Sequence, residues 1–136
     1  MTSDTLPAGL VRLWDRRAGF APFAFAGVLS VLAGGIIAAA IAAPAPTRHG
    51  VWAVAYLVLV VGVAQLVLGA GQALLAQTAP DPRRTLAIAA VYNVANLGVL
   101  AGVIADRVVV LNAGSLLLVV ALAMFLYGVR RSDRRG

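Results

Sequence analysis

Charged side chains occupy five short patches of the chain, and the four stretches between them, about residues 18–43, 51–78, 85–105 and 108–129, hold none. Each stretch is overwhelmingly apolar and at least 20 residues long. A helix needs about 20 apolar residues to cross a hydrocarbon core about 30 Å thick. The pattern predicts four transmembrane helices. Their short connections make sequential neighbours antiparallel, so the expected fold is an all-α integral membrane protein, a four-helix up-down bundle.

Upstream of the first span, Leu6, Leu10, Leu13 and Trp14 recur at helical spacing, with Arg12, Asp15 and Arg16 elsewhere around the turn. This spacing predicts a short amphipathic helix lying in the membrane interface. Asp4 or Thr5 would cap it, Pro7 fits its first turn, and Pro22 follows it ahead of the first span. The apolar run of that span exceeds the about 7–15 residues of a signal-peptide core, so it is expected to remain as an anchor.

Composition agrees with the pattern. Hydrophobic residues make up 62% of the chain and charged residues 12%, with a mean hydropathy of +0.95. A soluble domain would carry about 25% charged residues. Little chain remains outside the spans, so residues 1–136 are read as a single membrane domain, with 1–17 a cytoplasmic or interfacial segment and 130–136 a basic tail.

The net charge of +6 would suggest nucleic acid in a soluble protein. Here the arginines flank apolar spans, so anionic lipid headgroups are the expected partners and nucleic acid is not. Arg16 and Arg17, Arg83 and Arg84, and Arg130 and Arg131 are the candidate headgroup and topology residues. Counted by predicted side, nine arginines fall on one face of the membrane and only Arg48 and Arg107 on the other. The positive-inside rule then predicts both termini in the cytoplasm of a plasma (inner) membrane protein.

No Asp, Glu, Lys, Arg or His lies inside a span, which argues against proton-coupled or voltage-sensing chemistry. His49 is the single histidine, expected in the external loop Pro44 to Gly50, and there is no cysteine. Bis-histidine haem, thiolate metal sites and thiol catalysis are excluded on that count. Neither a phosphate-binding Gly-rich loop nor a nucleophile elbow is present. The expectation is no catalytic residue, no metal and no cofactor, hence not an enzyme. Small multidrug transporters are similar in length and span count, yet their intramembrane glutamate has no counterpart because the chain contains no Glu.

What the spans do contain is amides. Gln65 and Gln72 share a face of span two with Gly62 and Gly69, Asn93 and Asn96 lie three apart in span three beside Tyr92, and Ser30 reaches a similar depth in span one. Asn112 and Ser115 form a further pair in the outer half of span four. An amide facing lipid leaves its donors and acceptors unpaired, so all of these are expected to face the bundle interior. Ser30, Gln65, Gln72, Asn93 and Asn96 are the candidate polar cluster. They act either as interhelical hydrogen bonds or as the lining of a polar route.

Ala26, Ser30, Gly34 and Ala38 form a small-residue stripe on span one that predicts close packing. Trp14, Tyr127 and Trp52 sit where interfacial anchors belong. A faint echo links Leu29–Gly34 to Leu97–Gly102, and Leu57–Ala64 to Leu116–Ala123.

Two functions fit this reading. One is a non-enzymatic structural or accessory subunit that packs against another membrane protein or in a homo-oligomer. The other is a small oligomeric transporter or channel for a neutral or weakly charged substrate, using the midplane amides.

Overall fold

The computed structural model describes residues 7–41, 48–75 and 81–133. These segments are almost wholly helical and contain four helices long and apolar enough to cross a membrane. A short helix α1 (Ala8–Asp15) precedes the spans α2 (Arg17–Ile41), α3 (Arg48–Leu75), α4 (Pro82–Ile104) and α5 (Val108–Asp133).

The helices run past the apolar stretches because a charged side chain marks a membrane boundary and is no helix stop. Thus α4 takes Arg83 and Arg84 into its first turn. Asp81 caps it, accepting from the Arg83 N–H at 3.1 Å, with Pro82 in the first helical position. In the same way α3 begins at Arg48, which places His49 in a helical first turn and not in a loop. Pro22 falls inside α2 and not ahead of it. The proposed caps Asp4 and Thr5 and the predicted span ends at 43 and 78 lie outside the described residues, and Pro7 occupies the cap position of α1.

Between α4 and α5 the chain reverses in three residues. The Arg107 N–H reaches the Gly102 carbonyl at 2.8 Å and the Asp106 N–H reaches Val103 at 3.3 Å, which is the Schellman pattern. Asp106 holds the required left-handed conformation at φ 51°. Aspartate tolerates it better than most residues.

Neighbouring spans alternate in direction. At the arginine-rich end, Phe23 of α2 meets Phe125 of α5 edge to face at 6.3 Å, in a core shared with Ile88 and Ala89 of α4. At the opposite end, Gly34 lies against Val58 and Gly102 against Leu111. The closest partnerships are α2 with α3 and α4 with α5, and α2 also packs on α4.

Apolar side chains cover the outside. Phe25 is 74% exposed, Ile36 71% and Val109 81%. In water such a surface would be a large aggregation site, whereas in lipid it is solvated.

Without a hydrophobic driving force between helices, packing depends on close approach. The buried stripe of α2 is Gly19, Phe23, Gly27 and Gly34, so of the predicted small-residue stripe only Gly34 is buried. On α3 the matching residues are Gly62 and Gly69, the latter set against Phe20 and Phe23. The echo between the halves does not extend to the contacts. It would set Gly102 opposite Leu117 as Gly34 is opposite Val58, yet Gly102 meets Leu111.

The middle of α3, Tyr56–Val63, is wound as a π-helix, its end marked by the Ala64 N–H donating to the Leu59 carbonyl. Two side chains address its carbonyls: the Tyr92 hydroxyl donates to Val60 at 2.7 Å and Gln65 Nε2 to Val61 at 2.8 Å. Such irregular turns recur at functional or strained positions.

The polarity of α1 is inverted relative to a helix on a soluble protein. Arg12 and Arg16 turn toward the bundle and donate to the carbonyls of Leu74 and Ala73, in the last turn of α3, at 3.1 and 3.0 Å. A cation near the C-terminal turn of a helix complements its dipole. Leu10 and Trp14 face outward.

Candidate functional site

The polar side chains of the spans converge on the seam between α3 and α4. Gln65 is fully buried, and it forms a reciprocal amide pair with Asn93. Gln65 Nε2 donates to Asn93 Oδ1 at 3.0 Å, and Asn93 Nδ2 donates back to Gln65 Oε1 at 2.9 Å. Each amide nitrogen spends its second proton on the carbonyl four residues earlier, Gln65 on Val61 at 2.8 Å and Asn93 on Ala89 at 2.7 Å. A primary amide has two protons to give, so both donors are fully used.

A second layer lies toward the arginine-poor end. Asn96 Nδ2 donates to the Tyr92 carbonyl at 2.8 Å, and its Oδ1 accepts from the Tyr56 hydroxyl at 2.8 Å. The Tyr56 ring is stacked on Trp52 at 4.9 Å, so Trp52 supports the seam in addition to any anchoring role. Tyr56 is missing from the sequence-based cluster. A tyrosine inside an apolar span needs a partner for its hydroxyl, and that is the signal that could have found it.

Two members of the predicted cluster are not brought to the network. The Ser30 hydroxyl donates to the Ala26 carbonyl of its own helix at 2.8 Å. Gln72 is buried, but its Oε1 has no partner among the described residues, and the same holds for the hydroxyl of Thr85, which is 1% exposed. Because Gln65 faces Asn93 on antiparallel helices, Gln72 comes level with the stretch of α4 that begins at Thr85. The interior orientation expected for Asn112 and Ser115 is wrong. Both are exposed, Asn112 on the face of α5 opposite Gly114 and Ala121 and Ser115 on its flank, because α4 alone covers α5 closely and takes its glycine face.

The candidate headgroup residues divide by what they touch. Arg16 is engaged with Ala73, Arg17 donates to the Trp14 carbonyl at 3.0 Å with its guanidinium 5.1 Å over the indole, and Arg84 lies 5.6 Å over the Tyr127 ring. Arg83 and Arg130 are exposed, and Arg131 belongs to the C-terminal part of α5. No group of three or more His, Cys, Asp or Glu residues able to hold a metal occurs among the described residues.

Three surface grooves among the described residues are lined without Gln65, Asn93 or Asn96. One, of about 370 Å³, lies at the arginine-poor end between His49 and Asp106. In comparisons with known proteins, no protein-family model matches the chain, and neither does any curated protein or solved structure.

Proposed function

We propose that the chain is a non-enzymatic, multi-pass protein of the plasma (inner) membrane with both termini cytoplasmic, serving as a structural or accessory subunit of a larger membrane assembly or homo-oligomer. The observation that carries this reading is the reciprocal Gln65–Asn93 pair, whose four amide protons are all used inside the protein. A pair so satisfied has no donor left to offer a substrate, and its role is to join α3 to α4. The outward Asn112 and Ser115 favour assembly, since hydrogen-bonding groups on a lipid-facing helix are best satisfied by a neighbouring helix.

Purification in mild detergent or native nanodiscs tests the reading. A stoichiometric membrane partner or a defined homo-oligomer is expected, and a lone monomer would overturn it. For the orientation, a cysteine at position 48 should be labelled only from outside the cytoplasm.

A small oligomeric transporter or channel is the second reading, favoured by Gln72 Oε1 and Thr85 Oγ1, buried without partners among the described residues at the arginine-rich end of the same seam. Gln65→Leu with Asn93→Leu separates the two. A transporter would lose flux while remaining folded, whereas a helix-joining pair would lose stability.

A further inference from the structure

Toward the arginine-rich end, a groove of about 400 Å³ separates α3 from α5. Val67, Gly71 and Leu75 form one wall and Phe125, Val129 and Arg130 belong to the other. From Val67 to Leu75 the helix rises about 12 Å. That is close to the ~15 Å of hydrocarbon in one leaflet, half of the full core.

Gly71 makes the groove open. The other described glycines of α3 beyond its first turn, Gly62 and Gly69, are pressed against α2, but a Cβ on Gly71 would meet nothing within 4 Å. A glycine inside a helix costs about 1 kcal/mol relative to alanine, and here no helix approaches in return. At the groove's arginine-rich end Arg130 is exposed, and no hydrogen bond or ion pair holds it among the described residues. The groove beneath α1 differs in this respect, because its Arg17 is already tied to the Trp14 carbonyl and ring.

We infer that the α3–α5 groove binds one acyl chain of an anionic glycerophospholipid, with the lipid phosphate held by Arg130. The walls are apolar over the depth of a leaflet, and Arg130, the charged side chain among the described lining residues, is positive, so shape and charge select the same ligand. A guanidinium offers its donors in a planar fork that matches phosphate oxygens. The inference requires the spans to lie in a bilayer. It does not depend on the accessory role or on which leaflet is cytoplasmic.

The test is native mass spectrometry of the full chain in mild detergent, titrated separately with phosphatidylglycerol and phosphatidylcholine. Wild type should retain one phosphatidylglycerol about tenfold more tightly than phosphatidylcholine, because both offer a phosphate to Arg130 but the choline cation of the latter is repelled by the guanidinium. Arg130→Gln should bring the two lipids to near parity. Gly71→Leu should fill the groove and abolish tight retention of either, while Gly35→Leu, at another open glycine of the lipid-facing surface, should not. Equal retention of both lipids by wild type would overturn the inference, as would unchanged preference in Arg130→Gln. A cysteine at position 71 that crosslinks in membranes to a second protein chain would assign the groove to a helix and overturn it too. Because Arg130 is exposed, its variant remains informative if Gly71→Leu fails to fold.

Discussion

The two helical hairpins, α2–α3 and α4–α5, are both drawn together by glycine, but their glycines touch different things. In α2–α3 the space beside Gly34, Gly62 and Gly69 is filled mainly by side-chain atoms of Val58, Val31, Phe20 and Phe23, while at the Gly27–Gly62 crossing the two main chains also come close. In α4–α5, Gly102 faces the backbone of Leu111, and Gly98 and Gly114 face each other's main chain. A side chain can rotate away from an added methyl group beyond its Cβ, as Val58 can beside Gly34, whereas a Cβ or a helical backbone cannot move without separating the helices. The hairpin with the three-residue turn is therefore the more rigid one, and the hairpin with the longer connection has room to adjust at Gly34. Across the seam between them, α3 and α4 are bridged by amides and tyrosines. The molecule thus joins an adjustable pair to a rigid pair through directional bonds.

The largest effect should come from placing a methyl group in the rigid hairpin. Gly102→Ala should destabilise by more than about 3 kcal/mol in reversible unfolding from mixed micelles, because overpacking against backbone has no relief. A loss below about 1 kcal/mol would erase the distinction between the hairpins.

Next comes the seam. Gln65→Leu should cost about 1–3 kcal/mol, since it strands the Asn93 amide in an apolar interior. Gln65→Leu combined with Asn93→Leu should cost less than the sum of the single changes, with a coupling of about 1 kcal/mol. Strict additivity would mean that the pair does not bridge the hairpins.

In the adjustable hairpin, Gly34→Ala should cost about 1 kcal/mol, since the side chain of Val58 must give way. An effect as large as that of Gly102→Ala would break the comparison from the other side. The smallest effect belongs to Gly71→Ala, where open space and a better helix former should leave stability unchanged or raised by up to about 1 kcal/mol. Asn112→Leu should likewise leave the monomer's unfolding unaltered while weakening self-association in crosslinking or sedimentation measurements.

The four spans are readable because a charge inside hydrocarbon is so costly that its absence outlines the membrane. Helix ends are not readable from the same signal: Arg48, Arg83, Arg84 and Arg130 are helical but lie beyond the apolar stretches. Gln65, Asn93 and Asn96 stand out because an amide in lipid must find a partner. Which partner it finds depends on how far the helices approach, and spacing along one chain does not encode that. Gln72 shares its face with Gln65 but comes level with Thr85, where no amide waits. Asn112 and Ser115 are misplaced by the expectation that every span is enclosed by others, because α5 is an outer helix. Gly34 and Gly102 occupy corresponding places in the sequence echo, yet the tight turn at Asp106 shifts the pairing of the second hairpin, an effect of connection length that the echo omits.

The π-wound segment of α3 has a consequence for tolerance to changes in chain length. In an α-helix each residue turns the chain by about 100°, so removing one rotates everything beyond it out of register. The wider winding of Tyr56–Val63 advances less per residue, and over its eight residues the shortfall amounts to about one residue of α-helix. Deleting Leu59 should let the segment rewind as α-helix with Trp52 and Gln65 still on their present faces, whereas deleting Leu68 should scramble the rest of the span. The segment is thus a place where this membrane helix can lose a residue and keep its phase.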